Sequence, residues 1–275
     1  MEAGLEGWSE GAVRFAAFAG IFLLMATLEA ALPRRERAGS RIERWFTNLA
    51  LSALASFLVR VMTIAAVPIA AIAAAEWAKA TDTGLLHWLD WPAWLEFVVA
   101  LILLDLALYA QHVASHKIPL LWRLHRVHHA DVEFDVTTGV RFHPFEIGLS
   151  MIYKAAVVIA LGADPLAVLV FEIILNGASL FNHSNLAIPE KLDRVLRLFI
   201  VTPDMHRVHH SVIHRETDSN YGFNLSIWDR IFRTYVPQPR DGHIGMKIGL
   251  DPHQDDRPRK LLWSLLFPFS NNKRG

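Results

Sequence analysis

The chain divides into long apolar runs separated by polar segments. Three runs, at residues 15–28, 45–75 and 92–111, contain very few charged side chains. Two shorter runs, at 146–161 and 165–182, are joined by a Leu-Gly-Ala-Asp-Pro sequence that is typical of a turn. Because about 20 apolar residues cross the hydrocarbon core as a helix, the pattern predicts three membrane spans followed by a helical hairpin.

The composition favours a membrane protein. Hydrophobic residues make up 53% of the 275 residues, charged residues make up 20%, and the mean hydropathy is +0.27. We therefore predict an all-α fold, an integral membrane helical bundle of three spans plus a helical hairpin with a cytoplasmic histidine-rich helical cap. We expect residues 1–275 to form a single membrane-embedded domain. The alternative is a set of buried helices in a large soluble protein.

The charges that flank the apolar runs predict the orientation of the chain. Residues 1–10 contain three glutamates and no lysine or arginine, whereas the segment after the first run is rich in arginine. Because positively charged loops remain in the cytoplasm, we expect the N-terminus outside and the histidine-rich segments at the cytoplasmic face. The acidic start is atypical of a cleavable signal peptide, so we expect the first helix to be retained.

Charge and cysteine content exclude several classes of function. Lys+Arg and Asp+Glu both count 27, and this balance gives no indication of a nucleic-acid partner. The chain contains no cysteine, which excludes disulfides, iron–sulfur clusters, thiolate-bound haem and a cysteine nucleophile. Histidine is the unusual residue, because its 14 copies are unevenly distributed.

Three clusters of histidines have helical spacing. They are His112 and His116; His125, His128 and His129; and His206, His209 and His210. Spacings of three and four residues place side chains on one helical face, so each cluster is expected to present its imidazoles to one point. Eight neutral imidazoles are too many for one four-coordinate ion. The clusters therefore predict two metal ions, and an all-imidazole site accepts iron, zinc, copper or nickel.

Two histidines outside the clusters are further candidates. His183 lies at the end of the second hairpin run, and its position favours a role as a metal ligand. His143 lies between two clusters, but Pro144 disfavours a helix before it. We expect His143 to be a metal ligand or a gating residue near the site.

Polar residues on the same predicted helix faces are outer-shell candidates. Asp105 and Tyr109 share a face with His112, and Glu172 lies on the face that leads to His183. Metal-bound imidazoles donate their second N–H to an acceptor, and carboxylates at membrane depth need partners. The alternative for Glu172 is an ion pair with Lys154.

At these positions the chain resembles the fatty acid hydroxylase/sterol desaturase superfamily of integral membrane oxygenases. That superfamily carries HxxxH, HxxHH and HxxHH boxes, and here the boxes are His112–His116, His125–His129 and His206–His210. The similarity covers about residues 105–236 by motif, through 121–129, 141–146, 182–185, 201–204, 220–222 and 228–230.

The resemblance implies a non-haem centre of two iron ions, with O2 as co-substrate. It also makes Asn185, which follows His183 in the motif, an outer-shell candidate. Some relatives carry a further histidine four residues beyond the position that matches His183. This chain has Ala187 there, so the ligand supplied from that position is missing.

The implied activity is hydroxylation or desaturation of a C–H bond in a lipid from the bilayer, such as a fatty acyl chain or a sterol. No Gly-x-Gly-x-x-Gly motif follows a strand pattern, so two electrons must come from outside. The expected partners are an electron carrier (cytochrome b-type or ferredoxin) and an NAD(P)H reductase. Four arginines are expected either to dock an acidic carrier or to contact lipid headgroups: Arg123, Arg126, Arg207 and Arg215.

Two other functions remain open from the residues alone. A zinc-dependent membrane hydrolase would use zinc-bound hydroxide, although no His-Glu-x-x-His motif occurs in the chain. A non-enzymatic electron carrier would bind metal or haem, although eight clustered histidines exceed what one haem needs. Metal analysis separates the three functions.

Overall fold

The structure is a computed structural model, and it describes residues 9–37, 39, 41–65, 70–88 and 90–270. These residues form α-helices, short 3-10 helices and loops, and among them there is no β-strand beyond isolated bridges. The predicted all-α fold is therefore confirmed. Residues 1–8, on which the expectation of a retained first helix rests in part, lie outside the described residues.

Seven helices make up the bundle. They are α1 (Glu10–Ala31), α2 (Arg41–Ala65), α3 (Ala71–Ala80), α4 (Ala93–Lys117), α5 (Pro119–His129), α6 (Pro144–Leu161) and α7 (Pro165–Asn182). All except α3 and α5 are long and apolar enough to cross a membrane. The helices α1, α2 and α4 correspond to the three predicted spans, and α6 and α7 correspond to the predicted hairpin.

Six short helices follow the bundle along the chain. They are α8 (Glu190–Leu196), α9 (Pro203–His209), α10 (His214–Thr217), α11 (Ile227–Ile231), α12 (Gly242–Gly245) and α13 (Leu261–Leu266). Helix α9 packs against the end of α7, and α13 packs against α2. We refer to these helices and their loops together as the cap.

The second apolar run is divided differently from the prediction. Instead of one tilted span over residues 45–75, α2 ends at Ala65 and the separate helix α3 begins at Ala71. In the sequence, Pro68 lies between them, and proline lacks the N–H that a continuous helix requires. Helix α3 packs against both hairpin helices through buried alanines, which allow close approach: Ala71, Ala74, Ala75 and Ala78.

The hairpin turn and the histidines lie at opposite ends of the bundle. The turn contains Gly162 in the left-handed region (φ 69°), and it packs tightly on Gly84, where a Cβ atom would lie 2.2 Å from the Gly162 Cα. The arginine-rich segment after α1 lies at the histidine end, where Arg34 pairs with Asp204 at 3.1 Å. The first connecting segment and the histidine clusters therefore share one end.

Buried ion pairs fasten α2 to the segment between α5 and α6. The guanidinium of Arg44 donates to Asp131 at 2.8 Å and also to Asp135, and all three side chains are buried. Asn48, one turn further along α2, donates to Asp131 at 3.1 Å and accepts from Arg141 at 2.6 Å. The two arginines and two aspartates balance in charge, which is required of ions removed from water.

Removal of one member of this network should be costly. We expect Arg44→Met to lower the free energy of unfolding by about 3–5 kcal/mol, because it leaves two buried carboxylates without their main cation. The matched control is Arg60→Met, because Arg60 lies on the same helix but is exposed. Thermal unfolding in detergent measures both variants, and equal shifts in the unfolding midpoint would contradict the assignment.

Candidate metal centre

Each histidine box lies at the C-terminal end of a helix. His116 lies in the last turn of α4, His129 in the last turn of α5, and His209 in the last turn of α9. His183 is the C-cap residue of α7. Proline positions set these boundaries locally: Pro119 begins α5 directly after α4, and Pro203 begins α9 after the N-cap residue Thr202.

The structure brings nine histidines together in two groups. In each group the candidate ligand nitrogens lie within 4.8 Å of one another, and every member is buried. The larger group has five members: His112, His116, His125, His129 and His209. The smaller group has four members: His128, His183, His206 and His210.

The two HxxHH boxes contribute to both groups. His125 and His129, four residues apart, face the larger group, whereas His128 between them faces the smaller one. In the third box the first and last histidines join the smaller group, and His209 joins the larger one. The prediction that each cluster points to a single place is confirmed for His112 and His116 but is wrong for the second and third clusters. In these two clusters the histidines four residues apart stay together, because positions four residues apart share a helix face more closely than positions three apart.

The Nε2 atoms within each group face one another. His125 Nε2 lies 3.2 Å from Nε2 of both His112 and His129, and His183 Nε2 lies 3.1 Å from that of His206. Two lone pairs at such a distance repel unless a proton or a cation lies between them. Nε2 of His209 and of His210 are buried and have no hydrogen-bond partner. This donor set fits two cations bound among the imidazoles.

The opposite ring nitrogens are fixed by hydrogen bonds. Nδ1–H of three histidines donates to backbone carbonyls: His112 to Tyr221 at 2.7 Å, His183 to Ser179 at 2.8 Å and His209 to Ser219 at 2.6 Å. A carbonyl can only accept, so Nδ1 carries the proton and Nε2 keeps its lone pair. This is the tautomer that a metal ligand requires.

One carboxylate contacts a histidine of the larger group directly. Oε1 of Glu146, in the first turn of α6, lies 2.6 Å from Nδ1 of His125. A second carboxylate, on Asp218, lies 3.5 Å from Nδ1 of His116. A carboxylate on the second nitrogen makes an imidazole a stronger ligand and holds the orientation of its ring.

Burial keeps these imidazoles neutral. It lowers the pKa of His183 and of His209 from 6.5 to about 3, and their carbonyl hydrogen bonds oppose this only in part. The pKa values of His128 and His210 also fall well below 6.5, first through burial and then through the neighbouring histidines. Neutral rings with free lone pairs are the form that binds metal.

The structure places His143 outside both groups. It is the N-cap residue of α6, where its Nδ1 accepts from the backbone N–H of Phe145 at 3.2 Å and its Nε2 lies 3.2 Å from the carbonyl of Leu265. Asn185 is also used elsewhere, because its side chain bonds to both the N–H and the C=O of Arg35. Both side chains therefore organise the backbone around the site.

The remaining outer-shell candidates, Asp105, Tyr109 and Glu172, form hydrogen bonds with residues other than histidine. Asp105 accepts from the 224–228 segment, and the Tyr109 hydroxyl lies 2.8 Å from that of Thr234. Glu172 pairs with Lys154 at 2.6 Å and also with Arg14. The structure therefore shows the alternative interpretation of Glu172, an ion pair with Lys154. Sequence reasoning missed Glu146, although it ends the 141–146 motif.

Two of the four arginines that were expected to dock an acidic carrier or to contact lipid headgroups are buried. Arg207 pairs with Asp204, and Arg126 donates to the carbonyl of Phe267 at 2.7 Å. The expectation that Arg126 and Arg207 contribute to a basic surface is therefore wrong, because their guanidinium groups bond to other residues of the protein. Arg123 and Arg215 remain more exposed.

Comparisons with known proteins agree with this geometry. The family model described as fatty acid hydroxylase matches residues 97–234, which contain all three boxes. No solved structure matches the chain at a significant level.

Several curated proteins are similar to the chain over slightly more than half of its length. An ornithine lipid hydroxylase of Rhizobium tropici is 31% identical over 162 residues, which is 58% of this chain and 48% of that protein. An alkylglycerol monooxygenase of Danio rerio is 30% identical over 54% of this chain and 31% of its own length. A human cholesterol 25-hydroxylase is 26% identical over 54% of this chain and 59% of its own length. The matched region thus spans less than two thirds of each relative, but the family model covers half of the chain, and the chain belongs to the fatty acid hydroxylase family.

Proposed function

We propose that the chain is a membrane oxygenase that holds two iron ions between its two histidine groups and oxidises a C–H bond of a lipid. The observation that carries the proposal is the arrangement of nine buried imidazoles in groups of five and four. The relatives' names, all hydroxylases or monooxygenases of lipids, support an oxidative reaction. Zinc in isolated protein would be compatible with the same ligands.

The balance of the reaction defines what the protein must supply. Hydroxylation converts RH, O2, two electrons and two protons into ROH and water, and desaturation removes two hydrogens from RH2 and forms two waters. When bound, the iron pair supplies the activation of O2 that an unactivated C–H bond requires. The chain's own imidazole nitrogens would hold the metals, and backbone carbonyls fix the rings of His112, His183 and His209 through Nδ1.

Aromatic side chains exclude water from the histidines. Phe142 stacks on His128 with ring centroids 4.4 Å apart, and Phe134 stacks on His183 at 5.6 Å. Phe223 lies 4.9 Å from His112 on another side of the site. A dry surrounding protects a reactive centre from side reactions and strengthens the electrostatic interactions inside it.

The substrate class is a bilayer lipid, and the electrons come from separate proteins. The relatives are named for an ornithine lipid, alkylglycerol and cholesterol, so they support a lipid without selecting one. A carrier of cytochrome b or ferredoxin type and an NAD(P)H reductase are the proposed donors. The arginine-rich segment at the histidine end supports a cytoplasmic site and an N-terminus outside, through the positive-inside rule.

Metal analysis tests the proposal directly. We expect purified protein to contain close to two iron ions per chain and His128→Ala to contain fewer, because it removes a member of the smaller group. His143→Ala, the control, should retain the full content, since His143 lies outside both groups. Zinc alone in protein purified without oxygen or chelators would favour a hydrolase, and a haem spectrum would favour an electron carrier.

Lipid profiles of cells test the activity. Cells that express the chain should gain a hydroxylated or desaturated lipid, and cells that express His128→Ala should match cells without the gene. His143→Ala should restore the lipid change. A His128→Ala strain that still produces the new lipid would overturn the role of the second box.

Glu146 should strengthen metal binding through His125. We expect Glu146→Gln to weaken binding at the larger group by about 10–100-fold, the usual effect of losing an outer-shell partner. Titration with Co2+ against a competing chelator measures the two dissociation constants from the visible spectrum. The control is Glu190→Gln, because Glu190 is exposed on α8. Equal affinities in wild type and Glu146→Gln would show that the contact does not tune the ligand.

The metal-free protein should lose stability as pH falls below 6.5. Unfolded histidines with a pKa of 6.5 become protonated, whereas folded His183 and His209 stay neutral until about pH 3. Because the unfolded chain then binds more protons, each of these histidines should cost about 1.4 kcal/mol at pH 5.5 relative to pH 7.5. Thermal unfolding at both pH values measures the loss. The double variant His183→Asn and His209→Asn should show a smaller loss, and an unchanged loss would contradict the assignment.

A further inference from the structure

A segment outside the spanning helices packs against the middle of α4. Asp105, at the thirteenth of the 25 residues of α4, accepts hydrogen bonds from Asn224 Nδ2 at 2.8 Å, from the backbone N–H of Leu225 at 3.2 Å and from Trp228 Nε1 at 2.8 Å. Asp105 is 3% exposed. These three donors fix residues 224–228, including the start of α11, at the level of Asp105.

The level of Asp105 lies within the bilayer if α4 crosses it. With a rise of about 1.5 Å per residue, Asp105 is about 18 Å from either end of α4, and a hydrocarbon core is about 30 Å thick. One turn nearer the histidines, the Tyr109 ring stacks on Phe232 at 5.3 Å and its hydroxyl lies 2.8 Å from that of Thr234. Residues 224–234 therefore extend along the half of α4 that leads to the histidines.

The outward side of this region is apolar. We name it the α8–α11 surface and define it by seven exposed side chains, between 41% and 66% accessible: Leu192, Val195, Leu198, Phe199, Ile227, Ile231 and Phe232. Hydrogen bonds join its two parts, since the Ser226 hydroxyl donates to the carbonyl of Arg197 at 2.8 Å and Ser226 N–H donates to that of Phe199 at 3.1 Å. The two short helices thus form one unit.

The charges around the surface are typical of a membrane interface. Lys191, Arg194 and Arg233 are exposed beside the apolar side chains, and long basic side chains can reach phosphate groups while their stems remain in the apolar region. Of the two acids in α8, Asp193 is buried in an ion pair with Arg197, whereas Glu190 is exposed and lies 3.8 Å from Arg194. The exposed charges at this edge are therefore three basic side chains and one acidic side chain. The surface therefore presents hydrocarbon with a basic edge.

We propose that the α8–α11 surface is immersed in the bilayer leaflet at the histidine end, as a non-spanning part of the membrane contact. Two independent features support a lipid environment for this surface. One is the depth in the bilayer at which Asp105 fixes residues 224–228, and the other is the basic edge, which complements anionic headgroups. A water-exposed position would leave a large apolar patch uncovered next to a lipid-embedded helix.

This placement brings lipid close to the histidines. Phe223, which directly precedes the segment held by Asp105, lies 4.9 Å from the ring of His112 and 6.2 Å from that of His206. One short stretch of chain therefore separates acyl chains on the outside from the imidazoles on the inside. The proposal depends on α4 crossing the membrane and does not depend on the identity of the metal.

The absence of cysteine allows a direct test by spin labelling. Single variants Leu198→Cys and Phe232→Cys, labelled with a nitroxide in vesicles that contain anionic lipid, report collisions with O2 in lipid and with a water-soluble nickel chelate. Phe57→Cys on the exposed face of α2 is the lipid reference, and Asp255→Cys in the cap is the aqueous reference. We expect positions 198 and 232 to resemble position 57, with strong O2 and weak nickel collisions.

Two results would overturn the proposal. Nickel collisions as frequent as at position 255 would place the surface in water, and weak collisions with both probes would place it under a protein partner or a second copy of the chain. Metal content measured on the same labelled variants shows whether the histidine site is intact. A failure of the membrane contact is thereby separated from a failure of the proposed function.

Discussion

The structure depends on nine buried imidazoles that face one another in two groups. Without a cation or a proton between them, the opposed Nε2 lone pairs of His125 and His112 would repel at 3.2 Å. The fold must therefore bring ligands from four separate helices together before metal binding can stabilise them. Metal affinity and folding are coupled in such a site, because the unfolded chain has no comparable arrangement.

Buried ion pairs supply much of the rigidity that this arrangement requires. Arg44 ties α2 to the segment that follows the second box, and Arg207 pairs with Asp204 inside the third box's own helix. Glu29, near the end of α1, accepts from the backbone N–H groups of Val136 and Asn185. Each of these charged groups has an opposite charge or a hydrogen-bonding partner, although Nε of Arg44 and of Arg207 has none. The pairing offsets part of the cost of burying these charges.

The sequence predicts the parts of the site that follow from local periodicity. The three boxes and His183 were identifiable because spacings of three and four residues determine which side chains share a helix face. The five helices that could span the membrane follow from the length of the apolar runs. The separation of α2, which ends at Ala65, from α3 does not follow from hydropathy, and Pro68 is its only signal in the sequence.

Contacts between distant residues were not predictable in the same way. Asp105 was assigned to the histidines because it shares their helix face, yet its partners are Asn224 and Trp228, about 120 positions away. The acceptors for Nδ1 are mostly backbone carbonyls, which carry no sequence signal at all. Spacing explains why the histidines four residues apart in each HxxHH box stay together, but which of the two groups each pair joins depends on where the opposing helices lie.

The position of the boxes at helix C-termini has its own physical reason. The last carbonyls of a helix lack intrahelical partners, and the end carries a partial negative charge equivalent to about half an elementary charge. In α7 the carbonyl of Ser179 accepts both the backbone N–H of His183 and its Nδ1–H, so the helix end itself orients a ligand. Four such ends, of α4, α5, α7 and α9, meet around the two histidine groups. Their dipoles favour cations at this place, and a bundle whose helices ended in the opposite sense would present N–H groups that favour anions instead.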